Sequence, residues 1–270
     1  MMRINRDNKI FQSEEYRKDR NKFNIIELNF NSKDLLLYSD EENYVICRGA
    51  VGRPTWIWTV DGIGETRMKE VVDVITEFYL TDCVKDKFTA KKEFYEFLKK
   101  TNYPYLNTED YFEMGALECH QVKEPRKCDG YLGKPKLEDL DILAQYWYED
   151  NREMNGFDSI SMQQAYEDIK HMIDSNAFFV WRNDADKIVC MVNYQITGDR
   201  VKLSHVYTPQ EERRKGYASN LIYHVTEALI EQQLVPLLYT DYNYVASNKA
   251  YKNAGYEDMG ILINFSCSIN

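Results

Sequence analysis

The chain has 270 residues, a formal net charge of −10, 44% hydrophobic residues and 29% charged residues. This length and composition predict one or two folded domains, each with a hydrophobic core and a charged surface. The acidic charge argues against a general nucleic-acid-binding protein, because such a protein needs a basic face for the phosphates.

The first 120 residues are predicted to form a mixed α+β region. Runs of β-branched and aromatic residues between turn residues predict strands, and apolar residues at helical spacing predict helices. A short helix is predicted at 14–23, strands at 35–38, 44–47, 56–60 and 111–119, and helical faces at 71–79 and 94–98. This region has no glycine-rich loop of the kind that binds phosphate.

The segment 123–135 is polar and rich in proline and glycine. Such a composition is typical of the boundary between two domains. We therefore predict an N-terminal domain at residues 1–129 and a C-terminal domain at residues 130–270.

The second half is predicted to begin with two helices and to continue as a meander of strands. Apolar residues from Leu137 to Trp147 predict the first helix, and Ser161 is a typical N-cap for the second. Further strands are predicted at 178–181, 188–196, 201–208, 237–240 and 261–268, with helices at 216–233 and 247–254.

The stretch 201–256 contains the residues with the clearest chemical role. An apolar strand leads to Pro209, which cannot donate to a sheet ladder and therefore ends the strand. A polar loop with a basic cluster at 213–215 follows, and Gly216 opens a run with helical spacing. A strand, a basic glycine loop and a helix start together predict a pyrophosphate site, because free N–H groups and the helix dipole favour an anion there.

Three motifs in this stretch resemble the GNAT superfamily of N-acetyltransferases. Arg213, Gly216 and Ala218 follow the Q/R-x-x-G-x-G/A pattern of the acetyl-CoA signature. The preceding Tyr-Thr-Pro at 207–209, and the Ser-Asn to Gly-Tyr segment at 247–256, resemble the bacterial Tyr-Thr-Pro branch of that superfamily. The order and separation of the motifs also match, and the resemblance covers the second half of the chain.

The resemblance implies an α+β fold in which a mixed, mostly antiparallel central sheet is flanked by helices, preceded here by a smaller α+β domain. It implies acetyl-CoA as the co-substrate and acetyl transfer to a primary amine by direct attack in a ternary complex. It also implies cofactor-binding residues at the end of the strand, in the loop and in the later Ser-Asn pair. These residues are Val206, Tyr207, Thr208, Arg213, Arg214, Lys215, Gly216, Tyr217, Ala218, Ser219 and Asn248.

The catalytic residue that the resemblance implies is Tyr251. It occupies the position at which such enzymes commonly place a tyrosine that protonates the departing thiolate. A packing role is the alternative for Tyr251, because the chain has 21 tyrosines. Asn243 comes one residue before another common asparagine position, where this chain has Tyr244, so Asn243 is not assigned a contact.

The general base is not identified from the sequence. The strand before the loop offers His205, and histidine is suited to proton transfer near neutral pH. Simple strand alternation, however, puts His205 on the face opposite to Ser204 and Val206. The other candidates are an ordered water, Glu118, Tyr239 and Asp241.

The N-terminal domain has two interpretations. The order of its predicted elements loosely resembles the front half of an acetyltransferase domain, which indicates a degenerate duplicate. The alternative is an unrelated domain that selects the substrate or mediates self-association into a homodimer. No internal repeat in the sequence decides between them.

The remaining expectations concern environment and partners. Six scattered cysteines, no signal-peptide core and no apolar run of roughly 18 residues predict a cytoplasmic protein. Cys119, His120 and Cys128 lack a fourth ligand at a suitable spacing, so no metal site is predicted. The expected partner is a small-molecule or peptide amine, without nucleic acid or membrane. A catalytically inactive CoA-binding regulator, and transfer of a different acyl group, remain alternative functions.

Overall fold

The structure, a computed structural model, describes residues 2–80, 85–155 and 160–269. The helices in these residues are α1 (Glu14–Asp19), α2 (Asn24–Leu28), α3 (Glu65–Phe78), α4 (Lys92–Thr101), α5 (Leu140–Asn155), α6 (Met162–Met172), α7 (Tyr217–Glu231) and α8 (Val245–Asn253). The strands are β1 (Met2–Arg3), β2 (Leu36–Ser39), β3 (Tyr44–Arg48), β4 (Thr55–Thr59), β5 (Asp86–Lys91), β6 (Leu106–Glu118), β7 (Tyr131–Gly133), β8 (Phe178–Arg182), β9 (Ile188–Thr197), β10 (Arg200–Tyr207), β11 (Val235–Asp241) and β12 (Glu257–Ile269).

The chain divides into two compact units. The first unit contains residues 1–117, 239–244 and 258–270, and the second contains 118–238 and 245–257. The first unit therefore includes two segments from the C-terminal half, which a single boundary drawn along the sequence cannot describe. The roles predicted for the two domains stay predictions.

The first unit is built on a mixed sheet. Strands β1 to β4 are antiparallel neighbours, and β5 pairs parallel to β4 after the crossover through α3. The C-terminal strand β12 pairs antiparallel with the other edge of β5. This pairing brings Phe88 and Phe265 together, with ring centroids 5.6 Å apart. Every residue of β4 is buried, and its three central residues are tryptophan or isoleucine, so apolar and polar residues do not alternate along it.

The second unit repeats this pattern of pairing. Strands β7 to β10 are antiparallel neighbours, and β11 pairs parallel to β10 after the crossover through α7. Helices α5 and α6 pack on the sheet through buried apolar side chains, with Leu143 and Ile169 facing Phe178 and Met191. Ser161 caps α6 as predicted, because its hydroxyl accepts the N–H of Gln164 at 3.1 Å.

The same order of elements occurs twice along the chain. From β1 to β6 it runs strand, two helices, three strands, helix, strand, helix, strand, and the order from β7 to β12 is identical. The strand pairings β1 to β5 correspond to the pairings β7 to β11. The sequence does not reveal this repeat, because the core positions of the two copies differ in side chain while serving the same packing.

The predicted α+β class, with a mixed and mostly antiparallel sheet flanked by helices, is confirmed. Several local predictions differ from the structure. Strands β1 and β5 and helix α2 were not predicted, and β7 lies within the segment expected to be a domain boundary. Helix α8 begins at Val245, two residues before its predicted start at 247, so Ser247 lies inside it. Short, mixed-composition strands depend on their partners for stability, so their sequences carry little signal. No helix in the described part of the chain is long and apolar enough to cross a membrane.

A buried ion pair anchors the start of α5 to β8, and it leads to the first prediction. Asp139 accepts a hydrogen bond from the guanidinium of Arg182 and another from the N–H of Lys136 at 2.7 Å. The two charged side chains are only 9% and 6% exposed. We expect Asp139→Ala to lower the free energy of unfolding by about 3 kcal/mol, because it leaves a buried guanidinium without its carboxylate.

Urea denaturation followed by circular dichroism measures this loss. The matched control is Glu138→Ala, since the neighbouring Glu138 side chain is 72% exposed and pairs with the exposed Lys136. The control is expected to change stability by less than about 0.5 kcal/mol. Equal losses in the two variants would contradict the structural role of the buried pair.

Candidate active site

Strand β10 separates from its parallel neighbour before it ends. The ladder between β10 and β11 runs from Arg200–Val235 to Lys202–Leu237 and stops there, whereas β10 continues to Tyr207. The backbone edge of β10 beyond Lys202 therefore lacks this sheet partner. A ligand with amide groups can pair with such an edge as an additional strand would.

A β-bulge interrupts β10 in the separated part. Ser204 pairs with Asn193 and Tyr207 pairs with Met191, so His205 and Val206 together oppose a single residue of β9. His205 has φ +54°, in the left-handed region that few residues other than glycine adopt. The bulge shifts the alternation of side chains by one residue. Simple alternation therefore does not predict the face of the sheet on which the His205 side chain lies.

The loop after β10 leads into the start of α7. Pro209 and a short 3-10 turn at Gln210–Glu212 follow the strand, and α7 begins after Gly216. The backbone N–H groups from Arg214 to Ser219 have no acceptor among the described residues. Six adjacent residues thus leave their amides available at the positive end of a helix dipole, which is a suitable site for an anion.

Gly216 is required in this loop for its backbone shape. It has φ +96°, and a Cβ there would lie 3.6 Å from Cys128 Cβ and 3.8 Å from the carbonyl oxygen of Arg126. Asn220 donates to the same Arg126 oxygen at 2.9 Å, and this contact holds the segment against α7. Gly216 remains half-buried and its neighbour Lys215 is exposed, so the turn is open to solvent.

The basic side chains of the loop differ in their roles. Arg213 donates to the Thr208 carbonyl oxygen at 2.8 Å and to both carboxylate oxygens of Glu153 at 2.6 and 2.8 Å. Lys215 bonds Glu212 at 2.7 Å, and this bond lowers the pKa of the Glu212 carboxyl. Arg214 is exposed and has no ion pair within the part of the chain that the structure describes. Arg213 and Lys215 therefore stabilise the loop itself, which the sequence analysis did not distinguish from attraction of phosphate.

The predicted catalytic tyrosine lies inside the second unit. Tyr251 is on α8 and its side chain is buried. Burial raises the pKa of Tyr251 to about 12, although a hydrogen bond with the Ser247 side chain opposes the shift. The nearby Cys190 and Asp150 add to the increase. The phenol consequently keeps its proton at neutral pH, as a general acid requires. Asn248 lies on the same helix and is half-buried.

The strand end that was predicted to bind the cofactor is held by polar contacts. The Thr208 hydroxyl donates to Cys190 Sγ at 3.2 Å, and the Tyr207 hydroxyl donates to Glu149 at 2.6 Å. Burial raises the pKa of Tyr207, and the bond to Glu149 increases it further. Val206, within the bulge, is half-buried.

A cavity of about 420 Å³ lies beside Tyr207. Its lining has three glutamates and one arginine, and consists of Glu149, Arg152, Glu153, Tyr207, Gln210 and Glu211. An acidic wall at this place favours a cationic molecule over an anionic one.

Two residues that the sequence analysis missed surround His205. Asp150 Oδ2 lies 2.6 Å from His205 Nδ1, and the Trp147 ring lies against the imidazole with centroids 3.8 Å apart. Both belong to α5, more than fifty residues before His205, so local sequence patterns carry no signal for the pair. The other candidate bases have different partners: Glu118 pairs with His120, Tyr239 donates to the Lys22 carbonyl oxygen, and Asp241 accepts from Asn243.

Comparison with known proteins relates the second unit to a family of enzymes. The acetyltransferase (GNAT) family model matches residues 141–256 of this chain. A search of the curated proteins finds no match.

Solved structures with a similar fold span almost the whole chain. A GCN5-related N-acetyltransferase from Kribbella flavida superposes with a TM-score of 0.60 at 12% identity, covering 94% of this chain and 95% of its own. An acetyltransferase from the GNAT family from Colwellia psychrerythraea gives a TM-score of 0.57 at 12% identity, covering 94% of this chain and 97% of its own. At this identity the likeness shows a shared fold, and it includes the first unit.

Proposed function

We propose that this protein is an N-acetyltransferase that uses acetyl-CoA and acetylates a primary amine by direct attack in a ternary complex. The observation that carries the proposal is the row of unpaired amides from Arg214 to Ser219 at the start of α7. The GNAT family match over 141–256 supports acetyl-CoA as the molecule that these amides bind. The assignment to the Tyr-Thr-Pro branch stays a prediction.

The residues present fit the diphosphate and the amide groups of acetyl-CoA. The amides at 214–219 would bind the pyrophosphate, with exposed Arg214 adding positive charge. The free edge of β10 from Val206 to Thr208 would pair with the amides of the pantetheine arm. Asn248 would contact the same molecule from α8.

Bound acetyl-CoA supplies an activated acyl group, and the protein's own residues position and stabilise it. A backbone N–H at the bulge of β10 would stabilise the oxyanion that develops on the thioester carbonyl. The amine nitrogen forms a bond to the carbonyl carbon, and the C–S bond breaks with its electron pair on sulfur. Tyr251 Oη then gives its proton to that sulfur. The acidic lining around Glu149 and Glu211 supports a cationic amine as the acceptor.

The first unit supports a different role. Its β3–β4 ladder is unbroken from Tyr44–Thr59 to Cys47–Trp56, so the equivalent of the β10 bulge is absent there. Asp61 lies in the turn before α3 and Glu65 is the first residue of α3, and their charges oppose binding of a diphosphate. We propose that the first unit is a degenerate copy that does not bind CoA and that helps to select the acceptor or to form a homodimer.

If only the second unit binds CoA, each chain binds one CoA molecule. Isothermal titration calorimetry with CoA is expected to give a stoichiometry of about 1. A thiol-release assay with acetyl-CoA and a panel of a polyamine, amino-acid amides and a lysine peptide tests the transfer step. CoA binding without thiol release for any amine would favour a regulatory CoA-binding protein instead. Two bound CoA molecules would contradict the degenerate role of the first unit.

A further inference from the structure

His205 is held in a strained position at the centre of the candidate site. Its φ of +54° is strained for a residue other than glycine, and such a conformation persists only where the surroundings enforce it. The enforcement comes from the bulge between Ser204 and Tyr207, within the part of β10 that has left its parallel neighbour. Strained residues of this kind occur frequently at active sites.

The imidazole is also oriented from one side by α5. Its Nδ1 is 2.6 Å from Asp150 Oδ2, and the carboxylate is almost completely buried. Trp147, one turn earlier on the helix, packs against the ring, and its indole N–H donates to Asp168 on α6 at 3.2 Å. The ring is therefore fixed in position and in direction.

The hydrogen-bond pattern determines which nitrogen is available. A buried carboxylate accepts from Nδ1–H, and the lone pair then resides on Nε2. The His205 side chain keeps 23% of its surface exposed, so this nitrogen is not sealed in the core. A histidine oriented by a buried aspartate is a recurrent arrangement for taking up a proton.

The charged and titratable groups around this pair have other partners. Glu149 accepts from Tyr207, and Glu153 is bound by Arg213. The others near the pair, each from a different element, are Asp168 on α6, Cys190 on β9 and Tyr251 on α8. Asp150 contributes to the high pKa of Tyr251, which brings the proposed acid and this pair into one electrostatic environment.

We propose that His205 is the general base of the reaction and that Asp150 is its positioning residue. The inference rests on the proposed acetyl transfer. The bound ammonium first releases one proton to water, and the neutral amine then attacks the thioester carbon. As the nitrogen bonds to that carbon, His205 Nε2 takes a second proton from the nitrogen and becomes an imidazolium that Asp150 stabilises. The leaving sulfur receives its proton from Tyr251 Oη, and the phenolate regains a proton from solvent, so the reaction releases one proton overall.

The test compares thiol release and CoA binding in single variants. Asn tolerates the left-handed conformation and keeps a hydrogen-bonding side chain, so His205→Asn preserves the backbone while removing the base. It is expected to lower kcat by about 10²–10⁴-fold while the Kd for CoA changes less than about twofold. Asp150→Asn is expected to lower kcat by about tenfold or more, with a changed pH profile. His171→Asn, at an exposed histidine, is the matched control and retains wild-type rates.

A purely structural role would not alter the pH dependence. His205→Asn is expected to change the shape of the pH–rate profile of thiol release, because the variant has no ionisable group in the place of the imidazole. In His205→Gly, which accepts the same φ, added imidazole is expected to restore part of the rate. Wild-type kcat and pH profile in a folded, CoA-binding His205→Asn would overturn the assignment. Wild-type protein that binds CoA but releases no thiol would instead overturn the proposed function, and the base role with it.

Discussion

Replacing Gly216 with glutamate is expected to abolish measurable binding of CoA. The substitution brings a carboxylate to the row of free amides from Arg214 to Ser219, where it repels the pyrophosphate and competes for the same N–H groups. It also adds a Cβ next to Cys128 at a φ that disfavours side chains. The Kd measured by calorimetry is expected to increase by more than about 100-fold, equivalent to about 3 kcal/mol.

The chain offers a matched control for the strain. Gly198, in the turn between β9 and β10, also has a positive φ of +59°, and a Cβ there meets no other atom. Gly198→Glu is expected to lower stability by about 1 kcal/mol and to leave the Kd for CoA unchanged. Unchanged affinity in folded Gly216→Glu would count against the pyrophosphate site and against the transferase proposal built on it.

Replacing Tyr251 with phenylalanine is expected to lower kcat by about 100-fold with little change in the Kd for CoA. The variant keeps the ring that packs in α8 and loses only the hydroxyl that protonates the thiolate. Because the pKa of Tyr251 is raised to about 12, the acid form persists well above neutral pH. The wild-type rate should therefore not fall on the alkaline side below about pH 10 through loss of this proton.

Thiol release under saturating acetyl-CoA measures this effect, and Tyr146→Phe controls for loss of a buried hydroxyl. Tyr146 donates to the Ile188 carbonyl oxygen at 3.0 Å in the same unit. Its replacement is expected to cost about 1 kcal/mol of stability while leaving kcat unchanged. A Tyr251→Phe variant with wild-type kcat would identify Tyr251 as a packing residue, the alternative that the sequence left open.

The two units share the same strand pairing, but they differ at the positions proposed to bind CoA. Both contain the same pairing of four antiparallel strands followed by a parallel one, so this pairing does not by itself create the site. Only the second copy has the bulge at His205 and the longer loop that contains Gly216. These two local departures from regular geometry are what the proposed function depends on.

Local patterns predicted the elements best where the signal lies within one segment. The loop from Pro209 to Gly216, the N-cap at Ser161 and the amphipathic helix α7 follow from residues that are close in sequence. Strand β5 was not predicted because its stability comes from pairing with β4 and β12 on either side. The six residues of β5 contain no local signal for these two partners.

By itself, the sequence determined the order of elements from α5 to β12 and the phosphate-type loop, because turn residues and helical periodicity act over a few positions. Only the tertiary structure decided that Arg213 and Lys215 bind the protein's own carboxylates, and that Asp150 on α5 meets His205. It also decided that the C-terminal strand β12 completes the sheet of the first unit. The reason is physical: such contacts join residues tens to hundreds of positions apart, and their energies arise only after the chain has closed those loops.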